Sequence, residues 1–409
     1  MPRMWLKFLG RDVKLSDYVE LNPRVTLPRD ANVPFVNMDI VTPGTRRVYP
    51  VQERPATGSG SKFAPGDTLF ARITPCLENG KIAQYAGDRP GMGSTEFFVL
   101  RARDGISDPA YVYYCSQNQD LRSVAEKSMS GASGRQRAVI SSLSEFECEF
   151  PPLAVQQRIA SILSAYDELI ENSQRRIKIL ESMARGLYRE WFVHFRFPGH
   201  ENHPRVASAL GEIPQGWVVV AFTALADVLS GGTPKTDIPG YWNGDIPFFT
   251  PKDAPSCFYV EDAERLVTEL GLSKCASALY PPDTVFITAR GTVGKVAMPS
   301  VPMAMSQSCY ALRGKHGCTQ RFLFLMTIHQ VDYLKTNTGG ATFDTIVVDT
   351  FRRMKVAKPP LDLITSFTRK VDALLEQVKV LQGQVRNLRR TRDLLLPRLP
   401  SGQINVEAP

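Results

Sequence analysis

No Cys-x-x-Cys pair occurs in this chain. Its seven cysteines (Cys76, Cys115, Cys148, Cys257, Cys275, Cys309, Cys318) are scattered. They are expected to be reduced, mostly core thiols of a cytoplasmic protein. No apolar run reaches the length of a membrane span, and Met1-Pro2-Arg3-Met4-Trp5 does not read as a signal peptide. Histidine is scarce. His200 and His203 share a polar stretch with no cysteine nearby, so no metal site is expected. There is no Gly-rich cofactor loop and no Asn-Pro-Pro-Tyr-like or Asp-Pro-Pro-Tyr-like step of an amino-methyltransferase. Gly291 to Lys295 invites a P-loop reading and fails it. Two residues separate its glycines and Val296 follows the lysine, where a P-loop needs four residues and then Ser or Thr. No nucleophile–base signature stands out. The chain is therefore not expected to be an enzyme or to bind a cofactor itself.

What is present is size, modest positive charge and repetition. The 409 residues suffice for two or three domains, with 43% hydrophobic and 22% charged residues, as in ordinary globular proteins. The net charge of +8 permits a polyanionic partner without requiring one. The same phrases occur twice at an offset of about 208 to 216 residues. Trp5 with Leu15-Ser16-Asp17-Tyr18 faces Trp217 with Leu225-Ala226-Asp227-Val228. Val33-Pro34-Phe35-Val36 matches Ile246-Pro247-Phe248-Phe249, and Pro65-Gly66-Asp67-Thr68 matches Pro281-Pro282-Asp283-Thr284. Gly93 to Leu100 lies opposite Met305 to Leu312, and Gly131-Ala132-Ser133 matches Gly340-Ala341-Thr342. So long a period means two tandem domain-sized units, not a solenoid. Each unit reads as mixed α/β. Short β-rich runs (Asp67–Ile73, Thr284–Thr288) precede a helical patch (Tyr111–Ser128, Arg321–Lys335) and a Gly-containing loop.

Each unit then reaches Pro-Pro-Leu and a long heptad run, with Pro in the first turn, where its missing amide is no loss. After Pro151-Pro152-Leu153 the seam is Ile159, Leu163, Tyr166, Ile170, Ser173, Ile177, Leu180, Ala184, Leu187 and Trp191. After Pro359-Pro360-Leu361 it is Ile364, Phe367, Val371, Leu374, Val378, Leu381, Val385, Leu388, Arg392 and Leu395. The four–three alternation is that of a coiled coil. Arg392 in the seam suggests fraying or a partner contact. The basic residues Arg175, Arg176, Lys178, Arg386, Arg389 and Arg390 are either a solvated helix face or a surface that meets polyanion. Trp191, Phe192, Phe195 and Phe197 are either domain core or a docking surface.

At this point the chain resembles the DNA-specificity subunits of type I restriction-modification systems. The resemblance rests on Phe70-Ala71-Arg72-Ile73-Thr74-Pro75-Cys76-Leu77-Glu78-Asn79-Gly80-Lys81, on Gly231-Gly232-Thr233-Pro234, and on Glu190-Trp191-Phe192-Val193 leading to Phe197-Pro198-Gly199-His200. Leu394-Leu395-Leu396-Pro397-Arg398-Leu399 before Ser401-Gly402 adds to it. It implies two target-recognition domains, each reading half of a split asymmetric DNA site. Two long antiparallel helices would separate them as an intramolecular coiled coil. It also implies a non-catalytic subunit that recruits two adenine-methyltransferase subunits carrying S-adenosylmethionine, with two restriction subunits using ATP and Mg in the full enzyme. The expected layout is 1–150 first recognition domain, 151–197 central helix and aromatic end, 198–212 linker, 213–357 second recognition domain, 358–397 distal helix and 398–409 tail. One departure is visible. Gly231-Gly232-Thr233-Pro234 follows the first element of the second unit, where the first unit has Val19 to Arg24.

DNA recognition needs cations for phosphate and planar hydrogen-bonding groups for base edges. In the first unit the candidates are Arg72, Thr74, Asn79 and Lys81, then Ser133, Arg135, Gln136 and Arg137, where glycines at 131 and 134 allow close backbone approach. In the second they are Thr233, Lys235, Thr236, Lys252, Thr288, Arg290, Thr292, Lys295, Ser306 and Gln307. The competing reading of both sets is solvated turns. A rival for the whole chain is a tandem-domain protein-interaction adaptor with a coiled-coil strut, which sequence-selective, salt-dependent duplex binding would separate from a DNA reader.

Overall fold

The computed structural model describes residues 13–28, 31–131, 135–148, 150–337, 345–401, 403–404 and 406, the side chains of 336 and 337 excepted. The fold is mixed α/β with two long helices that pack together. Two compact units divide it: residues 1–172 with 385–409, and residues 173–384. The boundary falls inside both long helices, so each unit contains one end of the pair as well as a set of sheets.

The first unit contains β1 (Val19–Leu21), β2 (Asn32–Val36), β3 (Arg47–Val48), β4 (Gln52–Pro55), β5 (Ser61–Phe63), β6 (Thr68–Ala71), β7 (Ile82–Tyr85), β8 (Gly91–Gly93) and β9 (Phe97–Ala102). They form a five-stranded sheet ordered β1-β9-β6-β7-β3 and a four-stranded sheet ordered β4-β2-β8-β5. β6 is central and wholly buried, and its side chains alternate between two cores. Phe70 packs with Leu77, Phe98, Tyr111 and Leu121, beneath α1 (Pro109–Ser116) and α2 (Gln119–Lys127). Leu69 and Ala71 pack with Val36, Phe63 and Tyr85 on the other side. Asp108 caps α1, accepting from the Tyr111 amide at 2.9 Å, with Pro109 at its start.

The second unit repeats the five-stranded plan. It has β10 (Ala226–Ser230), β11 (Trp242–Phe249), β12 (Tyr259–Val260), β13 (Arg265–Val267), β14 (Val285–Thr288), β15 (Val296–Pro299), β16 (Ala304–Met305) and β17 (Cys309–Gly314). The sheet order is β10-β17-β14-β15-β12, with a second sheet β13-β11-β16. The register corrects the repeat by one residue. Phe70 pairs with Ile82, and Ile287 pairs with Val296. The left-handed turn position before the central strand is Gly66 in the first unit (φ 90°) and Asp283 in the second (φ 65°). Gly66 therefore corresponds to Asp283, not to Pro282.

The two long helices are α3 (Leu153–Phe192) and α5 (Leu361–Leu395), and between them in sequence α4 (Gln320–Asn337) covers the five-stranded sheet of the second unit. In the first unit Asp167 of α3 meets Arg392 of α5. In the second, Trp191 and Phe192 at the end of α3 pack on Phe367 near the start of α5, with ring centroids 5.7 and 4.8 Å apart. The two helices run antiparallel. Of the seam positions, Ile159, Leu163, Ile170, Ile177, Trp191, Ile364, Phe367, Val371, Val378, Leu381 and Val385 are buried. Tyr166, Leu180, Leu187, Leu374 and Leu388 are only partly buried. At four of these places the adjacent residue is the buried one: Asp167, Glu181, Tyr188 and Leu375. A helix of 3.6 residues per turn drifts against a strict heptad, and two of the displaced positions hold carboxylates with dedicated partners. Arg392 is neither frayed nor free. Its guanidinium donates to Asp167 at 2.6 Å and to the Gly44 carbonyl at 2.9 Å.

Two further expectations change, and one open alternative is decided. Residues 198–212 are not a plain linker, since Arg205–Ser208 forms a hairpin with Gly211–Pro214. The tail packs back on its unit, with Leu399 buried in the core beside Leu15, Phe150 and Ile159. The aromatic end of α3 is core. Trp191, Phe192 and Phe197 are buried and meet Trp217, Phe322 and Phe367. His200 and His203 each bond a backbone carbonyl at 2.8 Å.

Candidate nucleic-acid interface

In the first unit the chain turns sharply after β6. The Leu77 amide bonds the Ile73 carbonyl and the Asn79 amide bonds the Pro75 carbonyl, at 3.0 and 2.9 Å. The stretch after Gly131 returns beside this turn. The Thr74 amide bonds the Gln136 carbonyl at 3.0 Å, and the Gln136 amide bonds the Thr74 hydroxyl at 3.1 Å. The Ala138 amide bonds the Arg72 carbonyl at 2.8 Å. Two sequence-distant candidate loops thus share one surface.

Their side chains differ in availability. Asn79, Arg135 and Arg137 are exposed, and Thr74 and Gln136 are half-buried. The Lys81 ammonium is bonded to the Met38 carbonyl at 2.9 Å, which counts against it as a free phosphate contact. Arg72 and Arg137 both bind Glu96, at 3.3 and 2.7 Å. The Arg137 hydrogen bond holds the Glu96 carboxyl below its ordinary range, with Arg72 adding to the effect and burial opposing it. Ser133 lies outside the described residues.

In the second unit four segments converge. The Gly232 amide bonds the Met305 carbonyl at 3.1 Å, the Ser306 amide bonds Phe249 at 2.8 Å, and the Ala289 amide bonds Ser308 at 2.8 Å. The Gln307 amide reaches the Thr233 hydroxyl at 3.5 Å. The glycine pair is needed here for close approach. A Cβ on Gly231 would lie 2.1 Å from the Ser306 carbonyl oxygen, and one on Gly232 would lie 2.4 Å from the Ala276 amide. Lys235, Thr236, Lys252, Arg290, Thr292, Lys295 and Gln307 are exposed around this junction and Thr233 is half-buried.

Two candidates are corrected. Thr288 is fully buried, and its hydroxyl donates to the Thr292 carbonyl and accepts from the Lys295 amide, closing the turn. Ser306 is also buried, with its hydroxyl against the Cys309 sulfur. Both are scaffold residues. Lys335 of α4 completes the same turn by donating to the Gly294 carbonyl at 3.0 Å. Sequence reasoning missed Lys335, and it missed Glu96 and Arg122 of the first unit. Arg122 donates to the Glu78 carbonyl at 3.1 Å and so holds the 75–80 turn. The available signal for Glu96 was a break in the repeat, since Ser308 supplies the corresponding backbone bond in the second unit.

Each surface joins cations to amide and hydroxyl side chains on a sheet rim. That mixture suits phosphate contact and base-edge hydrogen bonding. Among the described residues there is no His, Cys, Asp and Glu group that could hold a metal, and no helix is long and apolar enough to cross a membrane.

Comparison with known proteins places this duplicated frame. A family model described as the type I restriction modification DNA specificity domain matches residues 66–182 and again 214–382. The HindI specificity subunit of Haemophilus influenzae is 23% identical over 401 residues, covering 83% of this chain and 86% of that protein. The MjaIX specificity subunit of Methanocaldococcus jannaschii is 32% identical over 154 residues, covering 37% of this chain and 36% of that protein. The crystal structure of a type I restriction-modification S subunit from M. genitalium has the same fold. Its TM-score is 0.57 at 16% identity, over 96% of this chain and 97% of that one.

Proposed function

This chain belongs to the type I restriction-modification DNA-specificity family, and from that premise we propose that it reads a split, asymmetric DNA sequence on behalf of partner enzymes. Each recognition surface takes one half-site. Exposed cations such as Arg135, Lys235, Lys252 and Lys295 anchor phosphate, and Asn79, Gln136, Arg137 and Gln307 face base edges in the major groove. The helix pair sets the unspecified spacer. The chain itself performs no chemistry. Adenine methylation comes from two modification subunits that bring S-adenosylmethionine and act on flipped bases. Restriction, where it accompanies modification, comes from two further subunits that use ATP and Mg.

The observation that supports this reading is the convergence in each unit of sequence-distant polar and basic loops on one sheet rim, on a frame written twice. Competition binding tests it. The partner-bound protein should bind a duplex carrying its own methylation site in strong preference to scrambled duplexes, with affinity falling steeply as salt rises. Equal binding to all duplexes, or none, contradicts it and favours a protein-interaction adaptor.

A further inference from the structure

Arg137 shows one edge of its guanidinium to Glu96 and leaves the other free. Its Nε lies 2.9 Å from one carboxylate oxygen and its Nη2 lies 2.7 Å from the other. This is a side-on fork. Nη1 has no partner among the described residues, and Nη2 keeps a second proton. These end-on donors are parallel and coplanar. Arg72 also binds this carboxylate. Its Nε donates to Glu96 at 3.3 Å and its guanidinium lies over the Phe98 ring, 5.6 Å from the centroid. Glu96 is therefore held by two cations while its own side chain is 17% exposed, against 47% for Arg137.

We infer that Arg137 is a base-reading residue of the first unit that takes the O6 and N7 acceptors of a guanine, with Glu96 as the residue that positions it. The inference rests on the DNA-reading function proposed above. A phosphate contact gains from charge and tolerates many geometries. A carboxylate beside it would weaken it. A guanine contact needs a planar fork in a fixed orientation, which the side-on Glu96 pair supplies before binding and without loss of donors. Such restraint lowers the ordering cost at the interface. The second unit lacks the device. Where the Arg72 amide bonds the Glu96 carbonyl at 3.0 Å, the Ala289 amide bonds that of Ser308 at 2.8 Å, and neither residue carries a charge.

The test uses the complex of this chain with its modification subunits and duplexes of its mapped methylation site. Each guanine in turn is replaced by 7-deazaguanine, which removes N7 alone. One guanine of a single half-site should show a loss of roughly 10- to 150-fold in the wild-type complex, the range for one hydrogen bond from a charged donor. Arg137→Met, which keeps the stem and removes every donor, should erase that sensitivity and leave the other positions unchanged. Glu96→Gln should weaken discrimination at the same guanine only. Arg137→Met weakening all sequences equally overturns the inference in favour of a phosphate contact. So does a site whose half-sites contain no N7-sensitive guanine. The DNA substitution needs no protein variant, so misfolding cannot imitate the result. A wild-type complex with no sequence preference overturns the function on which the inference rests. Wild-type preference without an Arg137-dependent guanine overturns this inference alone.

Discussion

Arg392 stands where the heptad pattern asks for an apolar side chain. Its partner Asp167 stands one residue away from the apolar choice, Tyr166. Both are buried, and Asp167 also accepts from the Tyr114 hydroxyl at 2.6 Å. A buried pair of this kind adds little net stability, but breaking it strands a charge. Arg392→Ala should therefore destabilise the first unit by about 3–5 kcal/mol, whereas Asp167→Leu with Arg392→Leu should recover part of that loss, the rest being the Tyr114 hydroxyl and Gly44 carbonyl left without their partners. Chemical denaturation of the three proteins decides it. A single variant as stable as wild type contradicts the pairing. Glu181 gives a pH test in the second unit. It accepts from the Phe258 amide at 2.7 Å, and burial raises its carboxyl above the ordinary value, with that amide and Arg185 opposing the shift. An acid raised on folding favours its neutral form, so stability is full below the unfolded value near 4.5 and is lost as pH rises through the folded one. Glu181→Gln keeps the acceptor and cannot ionise. It should raise the melting temperature at pH 7 and converge on wild type below about pH 4; a lower melting temperature at pH 7 would contradict the sign. Neither contact was legible in the sequence, because each joins two distant positions.

At the scale of elements, helices and strands were largely readable and the details of loops were not. The β-rich runs at Asp67–Ile73 and Thr284–Thr288 became β6 and β14 because their apolar residues continue without a polar break, as a doubly buried strand requires. Thr288 and Ser306 were misjudged because a hydroxyl that closes a turn and one that faces DNA look the same in composition. The long helices also carry two glycines without a packing reason. A Cβ on Gly186 or Gly383 would meet nothing within 4 Å. Gly186→Ala and Gly383→Ala should each stabilise the chain by roughly 0.8–1 kcal/mol, the helix-propensity difference, readable as a raised unfolding midpoint. No gain would mean that the open space is not what limits those positions. Removing one heptad from each helix shortens the pair by about 10 Å, close to three base pairs. The methylated motif should then keep both half-sites and lose part of its spacer. Altered half-sites with an unchanged spacer would refute the strut.

At the scale of the whole molecule, duplication was the most legible feature, since residues far apart had to be written twice to build two similar sheets. Its one-residue slip at Gly66 and Asp283 was invisible, because either residue satisfies the left-handed turn and only strand register tells them apart. Under the proposed function, the bases to be read are not written in the frame at all; they would be set by side chains at its rim, such as Arg137 and Gln307. The central claim is that this chain alone dictates where its partner enzymes act. Sequencing of methylated adenines in DNA from cells carrying the modification subunits, with and without this chain, tests that directly. The account predicts a two-part asymmetric motif with an unspecified spacer that appears only when the chain is present. Methylation at a continuous site, or at the same sites without the chain, would contradict it.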